Sequence, residues 1–182
     1  MRKVLYIFGL LTDADVEWIA RNGRRRILRD REILIREGRQ VESIIFLLRG
    51  ELRISAQAAG DIARIGVGEI VGEMSFVDSA PPAATVTATG ECLALFIDKE
   101  TVARKIDVDP AFGCRFYRAL AIFLADRLRG TGRRMDYGSA NEPGGLGSEA
   151  VVKDELDLAI LDTVSQAGER FDRMIKTLAG EP

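Results

Sequence analysis

The stretch of this 182-residue chain best suited to chemistry is GEMSFVDSAPPAATV, residues 72 to 86. Gly72 permits a tight turn. The residues from Glu73 to Phe76 favour a short helical turn whose backbone N–H groups can point at a phosphate. Ser75 offers a hydroxyl group, and the small pair Ala83–Ala84 lets a phosphate approach the strand that follows. The stretch predicts an anion-binding loop, which usually has a fixed cation beside it.

The chain contains no histidine, which removes the commonest general base and every Ser-His or Cys-His arrangement. Its two cysteines, Cys92 and Cys114, stand in apolar surroundings and are not spaced as a metal or redox motif. We expect both to be small buried residues, and they indicate a cytoplasmic location. The composition therefore predicts a protein that is not an enzyme, with no metal site and no required cofactor.

The overall balance is that of a globular protein with a core, at 47% hydrophobic and 30% charged residues. The formal net charge of −2 gives no global field towards nucleic acid or an anionic membrane. The run VLYIFGLL, residues 4–11, is far too short to span a bilayer and is predicted to be core rather than a signal peptide.

The basic stretch GRRRILRDR, residues 23–31, has the composition of a nucleic-acid contact. On a strand, however, Arg24 and Arg26 would share one face with Arg25 opposite, and acidic residues follow closely. A solvated strand face is favoured over a phosphate-binding stripe.

A helix is predicted from Thr12, which can act as its N-cap, to the stop signal Asn22-Gly23. Short strand-like runs then recur up to about residue 99, separated by turn signals such as Arg49-Gly50 and Gly90-Glu91. These runs are RRRILR, EILIRE, SIIFLLR, ELRIS, DIARIG, TVTATG and CLALFI. Their spacing is typical of an antiparallel sandwich or barrel.

Helical patterns return at KETVARKI, residues 99–106, and in a long segment that begins at Asp109-Pro110. One apolar stripe of the long helix consists of Phe112, Phe116, Leu120, Phe123, Leu124 and Leu128. Such a stripe serves either core packing or a dimer contact, and the sequence leaves both open.

Residues 1–135 are predicted to form the main domain, residues 136–149 a linker, and residues 150–180 an acidic amphipathic helix. A heptad seam runs through this last helix at Ile160, Val164, Ala167, Phe171, Met174 and Leu178. Because residues 110–135 are basic, we expect the last helix to lie along the long helix, within the same subunit or in a partner.

Four blocks resemble the cyclic nucleotide-binding domain family in order and spacing. They are LIREG at 34–38, IIFLLRGELRIS at 44–55, GVGEIVGEMSF at 66–76 and PPAATVTA at 81–88. The resemblance covers roughly residues 10–135. It implies a mainly β fold with flanking helices. That fold is an antiparallel β-roll (a double-stranded β-helix, similar to a jelly roll) with an N-terminal helix and C-terminal helices.

The resemblance also implies a ligand pocket in which Glu73 accepts hydrogen bonds from a ribose hydroxyl. The residues that would line it are Gly72, Glu73, Met74, Ser75, Pro82, Ala83, Ala84 and Thr85. In the family an arginine that pairs with the phosphate stands where this chain has Pro82. A contact of that kind contributes roughly 1.5–3 kcal/mol, or about one to two powers of ten in affinity. Arg53 and Arg64 lie on predicted strands, but the sequence does not show whether either points inward.

Three outcomes stay open: weak binding of a cyclic mononucleotide, binding of another small ligand with less charge, or an empty pocket. We expect a regulatory module that binds cAMP, cGMP or a related ligand weakly, forms a homodimer through its long helix and acts on an unidentified protein partner. The alternative is an interaction scaffold with a degenerate pocket. Because only a linker and an acidic helix follow residue 135, we expect no DNA-binding domain, and no membrane contact.

Overall fold

A computed structural model describes residues 8–138, 168–170 and 172–174, with no side-chain description for residues 130–138. Six strands form one antiparallel sheet in the described part: β1 (Arg24–Leu28), β2 (Ile33–Ile35), β3 (Ser43–Ala56), β4 (Gly60–Ile65), β5 (Ile70–Val71) and β6 (Thr85–Asp98). The helices with both ends among the described residues are α1 (Asp13–Asn22), α2 (Met74–Val77), α3 (Lys99–Val108) and α4 (Pro110–Gly138). This arrangement confirms the predicted antiparallel roll with flanking helices.

The sheet is built around β3 and β6, which pair antiparallel from Ser43↔Asp98 to Ser55↔Thr85. Each of them combines two of the short strands predicted from the sequence. Gly50 and Gly90 have φ angles of +95° and +72°, so both predicted turns are bends within a continuous strand. A Cβ at Gly50 would approach Cys92 Sγ to 2.6 Å. The bend therefore brings two backbones into close contact and turns the sheet into a roll.

Two apolar clusters stabilise the fold. One lies inside the roll and includes Leu28, Leu47, Leu52 and Cys92, each fully buried. The other lies between the outer face of the sheet and the helices, where Ile44 and Phe46 meet residues of α1 and α4. Phe8 and Leu11 are also in the second cluster, which confirms a core role for the described end of the VLYIFGLL run.

The predicted start of α1 is confirmed by a complete capping box. Thr12 Oγ1 accepts a hydrogen bond from the Asp15 N–H, and Asp15 Oδ2 accepts one from the Thr12 N–H. Asp15 is also buried and receives two hydrogen bonds from Arg115, at 2.6 and 2.9 Å. Burial acts to raise the pKa of this carboxyl, but the bonds from Arg115 and Thr12 outweigh it and hold the pKa below its usual value.

The long helix α4 begins as predicted, with Pro110 in its first position and Asp109 Oδ1 accepting from the Phe112 N–H. Four stripe residues are in the core: Phe112, Phe116, Leu120 and Phe123. Leu124 is half-buried, and Leu128 is 75% exposed, so the stripe leaves the core at its C-terminal end.

The prediction of a buried Cys114 is wrong, whereas Cys92 is fully buried as predicted. Cys114 is exposed because the buried side of α4 is formed by residues such as Phe112 and Phe116, and Cys114 stands two positions from each, about 200° round the helix.

The described part of the C-terminal segment packs on the start of α1 in the same chain. Arg170 Nε donates to Asp13 Oδ1 at 2.6 Å, and its Nη1 donates to the carbonyls of Phe8 and Gly9. Met174, a residue of the predicted heptad seam, is 2% exposed and belongs to the outer core cluster. The other seam residues, like the predicted linker beyond residue 138, lie outside the described residues.

The basic strand β1 is an exposed, ion-paired surface. Arg24 pairs with Asp98 at 3.2 Å and Arg26 with Glu32 at 2.8 Å. No helix among the described residues is long and apolar enough to cross a membrane.

Replacing Asp15 by asparagine is expected to destabilise the protein by roughly 2–3 kcal/mol, because the bonds from Arg115 lose their charge while the cap to Thr12 is kept. The wild-type pKa of Asp15 is lowered by folding, so its contribution is present above the unfolded pKa and is lost as the pH falls through the folded value. Urea unfolding followed by Trp18 fluorescence should therefore show the largest difference near neutral pH and a smaller one in acid. Asp107→Asn, at an exposed aspartate, is the control, and an equal loss in both variants would contradict the assignment.

Candidate functional site

The predicted loop begins where β5 ends, and its first residue is held by backbone geometry. Gly72 has a φ angle of +84°, and a Cβ at this position would lie 2.5 Å from the Ser43 carbonyl oxygen. Any larger residue would be strained and would collide with β3. Glycine is thus required by the fold itself, whether or not a ligand also needs the space.

The predicted helical turn is present as α2, displaced by one residue so that Glu73 is its N-cap. Phe76 stacks on Tyr117 of α4, with ring centroids 5.9 Å apart, and meets the edge of Phe116 at 6.0 Å. Met74 is 55% exposed. The short helix thus packs on the long helix and leaves Met74 towards solvent.

The central polar contact of the site joins Glu73 to Arg127 of α4. Glu73 is 1% exposed, and its Oε1 accepts a hydrogen bond from Arg127 Nη1 at 2.6 Å. Arg127 Nη2 donates to the Ile70 carbonyl at 3.0 Å and lies 3.6 Å from Glu69 Oε2. The guanidinium also lies over the Phe123 ring, 4.7 Å from its centroid. Arg127 of the long helix therefore contacts three residues at or next to the loop, namely Glu69, Ile70 and Glu73.

Burial raises the pKa of the Glu73 carboxyl above its usual value, and the charge of Arg127 opposes that rise. A buried carboxylate without this partner would carry the full cost of leaving water. The Glu73 carboxylate therefore depends on Arg127, since the other neighbouring acid, Glu69, raises its pKa further.

A second cation reaches the loop from the start of α3. Lys99 Nζ donates to Ser75 Oγ at 2.6 Å, and this hydroxyl lies 3.4 Å from the Gly72 carbonyl oxygen. Burial lowers the pKa of Lys99, while the charges of Glu73 and Asp78 oppose the decrease. Lys99 thus supplies positive charge beside the loop.

The other half of the predicted loop contacts the turn between β2 and β3. The Pro82 carbonyl accepts a hydrogen bond from the Gly38 N–H at 2.8 Å. Thr85 Oγ1 accepts one from the Glu37 N–H at 3.1 Å. Ala83 is exposed, and Pro82 and Ala84 are half-buried.

Arg53 and Arg64 do not supply the cation of the loop. Arg53 pairs with Asp61 at 3.2 Å and Arg64 with Glu51 at 2.8 Å. The two arginines border a surface cavity of about 610 Å³ whose other lining residues include Thr87 and Thr89 but no residue of the 72–84 loop.

The contacts divide the predicted site residues into two groups. Gly72, Glu73 and Ser75 lie together with Lys99 and Arg127, while Pro82 and Thr85 lie against the β2–β3 turn. Sequence reasoning missed the roles of Lys99 and Arg127. The available signal for Arg127 was an arginine beside the apolar stripe of the long helix, too general to identify its partner. Among the described residues, no cluster of His, Cys, Asp and Glu could hold a metal ion.

Residues 25–109 match the family described as "Cyclic nucleotide-binding domain". The fold is similar to that of a cyclic nucleotide-binding domain from Methylobacillus flagellatus, with a TM-score of 0.67 and 20% identity over 78% of this chain and 85% of that one.

Two further solved structures have the same fold. The Thermus thermophilus catabolite activator protein has a TM-score of 0.61 and 20% identity, over 96% of this chain and 87% of that one. The regulatory domain of Toxoplasma gondii PKA with cAMP has a TM-score of 0.50 and 24% identity, over 54% of this chain and 39% of that one.

Replacing Arg127 by methionine is expected to destabilise the protein by about 3 kcal/mol at neutral pH, because it leaves the Glu73 charge buried without its partner. The pKa of Glu73, already raised, should then rise further. An acid whose folded pKa exceeds its unfolded one stabilises the fold at low pH and loses that stabilisation as the pH rises. The deficit of the variant, measured by urea unfolding, should therefore be smaller at about pH 5 than at about pH 7.

The control for this prediction is Arg129→Met, at an exposed arginine two positions further along the same helix. The double variant Glu73→Gln/Arg127→Met should recover part of the lost stability, because no charge is left buried. If Arg127→Met and Arg129→Met cost the same, the ion pair does not hold the loop to α4.

Proposed function

We propose that the protein is a cytoplasmic regulatory module that binds a cyclic mononucleotide, because residues 25–109 match the cyclic nucleotide-binding domain family. The ligand is cAMP, cGMP or a related molecule, bound at the 72–85 loop. The observation that carries the proposal is the contact between Glu73 and Arg127, which joins this loop to the long helix. Both cysteines are free thiols, consistent with a reducing compartment.

The proposed mechanism follows from the buried pair. A ribose hydroxyl that donates to Glu73 would compete with Arg127 for the same carboxylate or share it. Either result changes how firmly α4 is held to the loop, since Arg127 also binds the Ile70 carbonyl. Phe76 and Tyr117 form a second contact between the loop and α4. Ligand binding would thus shift the packing of α4.

The proposed affinity is low, since Pro82 supplies neither a positive charge nor an N–H group at the position of the family arginine. The Glu73 carboxylate also already has a partner in the chain, so part of the binding free energy is used to rearrange that pair.

The exposed face of α4 supports a homodimer. Cys114, Tyr117, Ala121, Leu124 and Leu128 recur at steps of three and four, and all except the half-buried Leu124 are exposed. Leu128 and Tyr117 are 75% and 45% exposed, so this helix face presents apolar surface to solvent. This spacing is that of a heptad seam, which fits the same face of a second copy in a parallel pair.

The alternative function is an interaction scaffold whose pocket binds no nucleotide. The observation in its favour is that Glu73 is 1% exposed and paired within the chain, so the roll satisfies its own buried acid without a ligand. In that case the dimer face and the C-terminal segment carry the activity.

Isothermal titration with cAMP and cGMP tests the proposal. The variant Pro82→Arg tests whether the ligand phosphate lies at position 82. We expect weak binding by the wild type and an affinity about ten to one hundred times higher for Pro82→Arg, because the variant restores one charge-assisted contact. The backbone bond from Gly38 to the Pro82 carbonyl does not depend on the side chain, so the loop should persist.

Pro82→Ala is the matched control, since it removes the proline without adding charge. Equal affinities for Pro82→Arg and Pro82→Ala would show that the ligand phosphate does not lie at this position. Absence of heat and of any thermal shift for both nucleotides, in the wild type and in Pro82→Arg, would favour the scaffold.

Oxidative cross-linking tests the dimer. In a parallel pair related by a two-fold axis, each Cys114 on the seam faces the other, so a thiol oxidant should produce a disulfide-linked dimer. In an antiparallel pair the two thiols would be far apart. Cys114→Ser should abolish the product, because Cys92 is fully buried.

Leu128→Glu should lower the mass measured by light scattering from two chains to one, since it places a charge in the seam. The matched change at Arg129, Arg129→Glu, lies beside the seam and should leave the mass unchanged. A mass of one chain for the wild type at every concentration would rule out the homodimer.

A further inference from the structure

A second surface cavity, of about 510 Å³, lies at the end of the roll where the β2–β3 turn meets the β3–β4 turn. Its lining includes Arg36 and Arg39 from the first turn and Gln57 from the second. Thr85, at the start of β6, also lines it. The volume lies within the range of roughly 300–1,000 Å³ that is usual for small-molecule sites.

Arg36 and Arg39 occupy the two ends of one tight turn. The Arg39 N–H donates to the Arg36 carbonyl at 3.1 Å, and Gly38 between them has a φ angle of +71°. The α-carbons at the ends of such a turn are less than about 7 Å apart. Two long cationic side chains that start this close together can reach a single anion.

The turn is fixed by hydrogen bonds on both sides of the cavity. The Gly38 N–H donates to the Pro82 carbonyl, and the Glu37 N–H donates to Thr85 Oγ1. Across the cavity, the Gln57 N–H donates to Glu37 Oε2 at 2.7 Å. The two arginines are therefore carried by a braced backbone.

Neither Arg36 nor Arg39 makes an ion pair within the described part of the chain. Other arginines of the roll do, among them Arg49 with Glu91 at 2.7 Å and Arg64 with Glu51 at 2.8 Å. The two acids that line the cavity are already engaged: Glu37 accepts from the Gln57 N–H, and Asp61 pairs with Arg53. Glu37 stands between them in the chain, but neither arginine pairs with it, so both charges lack an ion-pair partner in the described part of the chain.

The remaining groups at the cavity can donate hydrogen bonds. Thr85 Oγ1 accepts from the Glu37 N–H, which leaves its hydroxyl hydrogen available to a ligand. Ser55 supplies a second hydroxyl, and Gln57 an exposed side-chain amide. Hydrogen-bond donors, together with arginines that have no ion-pair partner among the described residues, are the chemistry that recognises a phosphate group.

We propose that this cavity is a phosphate-binding site in which Arg36 and Arg39 hold the anion and Thr85 donates to it. The bound group is either a free phosphate or pyrophosphate ion or the phosphate of an ester. Gly38, between the two arginines, is bonded to Pro82, so the site adjoins the second half of the 72–85 loop. Its existence does not depend on a nucleotide binding at Glu73.

Isothermal titration with pyrophosphate on the full chain is the test, supported by the thermal shift that pyrophosphate produces. We expect wild-type binding that weakens at high ionic strength, and a loss of at least about tenfold in Arg36→Gln/Arg39→Gln, because two charge-assisted contacts disappear. The control Arg29→Gln/Arg49→Gln removes two exposed arginines elsewhere on the roll and should bind as the wild type does. Unfolding curves in the absence of ligand establish that both double variants are folded.

The proposal of this site is contradicted if the wild type shows neither heat nor a thermal shift with pyrophosphate, or if Arg36→Gln/Arg39→Gln binds pyrophosphate as tightly as the control.

A cAMP titration of the same variants identifies the source of the phosphate. If cAMP binding weakens with Arg36→Gln/Arg39→Gln and pyrophosphate competes with it, the site holds the nucleotide's phosphate. If cAMP binding is unaffected while pyrophosphate binding is lost, the site holds a separate molecule. If the protein binds pyrophosphate but no cyclic nucleotide, the phosphate site is supported and only the proposed function is contradicted.

Discussion

The rest of the structure depends on the carboxylate of Glu73, because a group that is 1% exposed has to find its partner inside the protein. Arg127 meets this requirement from a position 17 residues beyond the start of α4, which corresponds to about 25 Å along the helix axis. The helix must therefore continue along the side of the roll to reach the loop. At its other end Arg115 binds the buried Asp15 of α1. Two charge pairs on opposite parts of α4 thus fix its direction, and apolar packing fills the space between them.

The two pairs differ in what they can do. Asp15 belongs to a capping box and has Thr12 as an additional partner, so its contact with Arg115 stabilises a helix end. Glu73 has no side-chain capping bond, and its carboxylate is held by Arg127 of α4. A ligand bound at Glu73, as proposed above, would therefore change the second pair without disturbing the first. In the proposed function, this asymmetry makes the Arg127 end of α4 the movable one, and Arg115 keeps the other end attached to α1.

Local features were predictable from the sequence, whereas long-range pairs were not. The cap of α1, the Asp109-Pro110 start of α4 and the loop after Gly72 each depend on residues within a few positions of one another. The partner of Glu73 lies 54 residues away in the chain. The sequence around Arg127 does not distinguish it from Arg129, an exposed arginine two positions further along the same helix. Gly50 and Gly90 had the composition of turns but are bends, because the pairing of β3 with β6 continues past both. Cys114 had an apolar sequence context, yet it lies on the side of α4 that faces away from the core.

Pro82 takes on a different meaning once the positions of the surrounding charges are known. A motif assigns a cation to one place in the chain, but a ligand experiences the field of every charge near it. This chain places Lys99 and Arg127 on one side of the loop, and Arg36 and Arg39 beyond its other end, next to the backbone of Pro82. Arg127 is paired with Glu73, whereas Lys99 donates to the neutral Ser75 hydroxyl. Arg36 and Arg39 have no ion-pair partner within the described part of the chain. Positive charge without an ion-pair partner therefore lies on both sides of the loop, at Lys99 and in the neighbouring turn. A proline at position 82 is compatible with this arrangement, because only its carbonyl is needed to brace that turn.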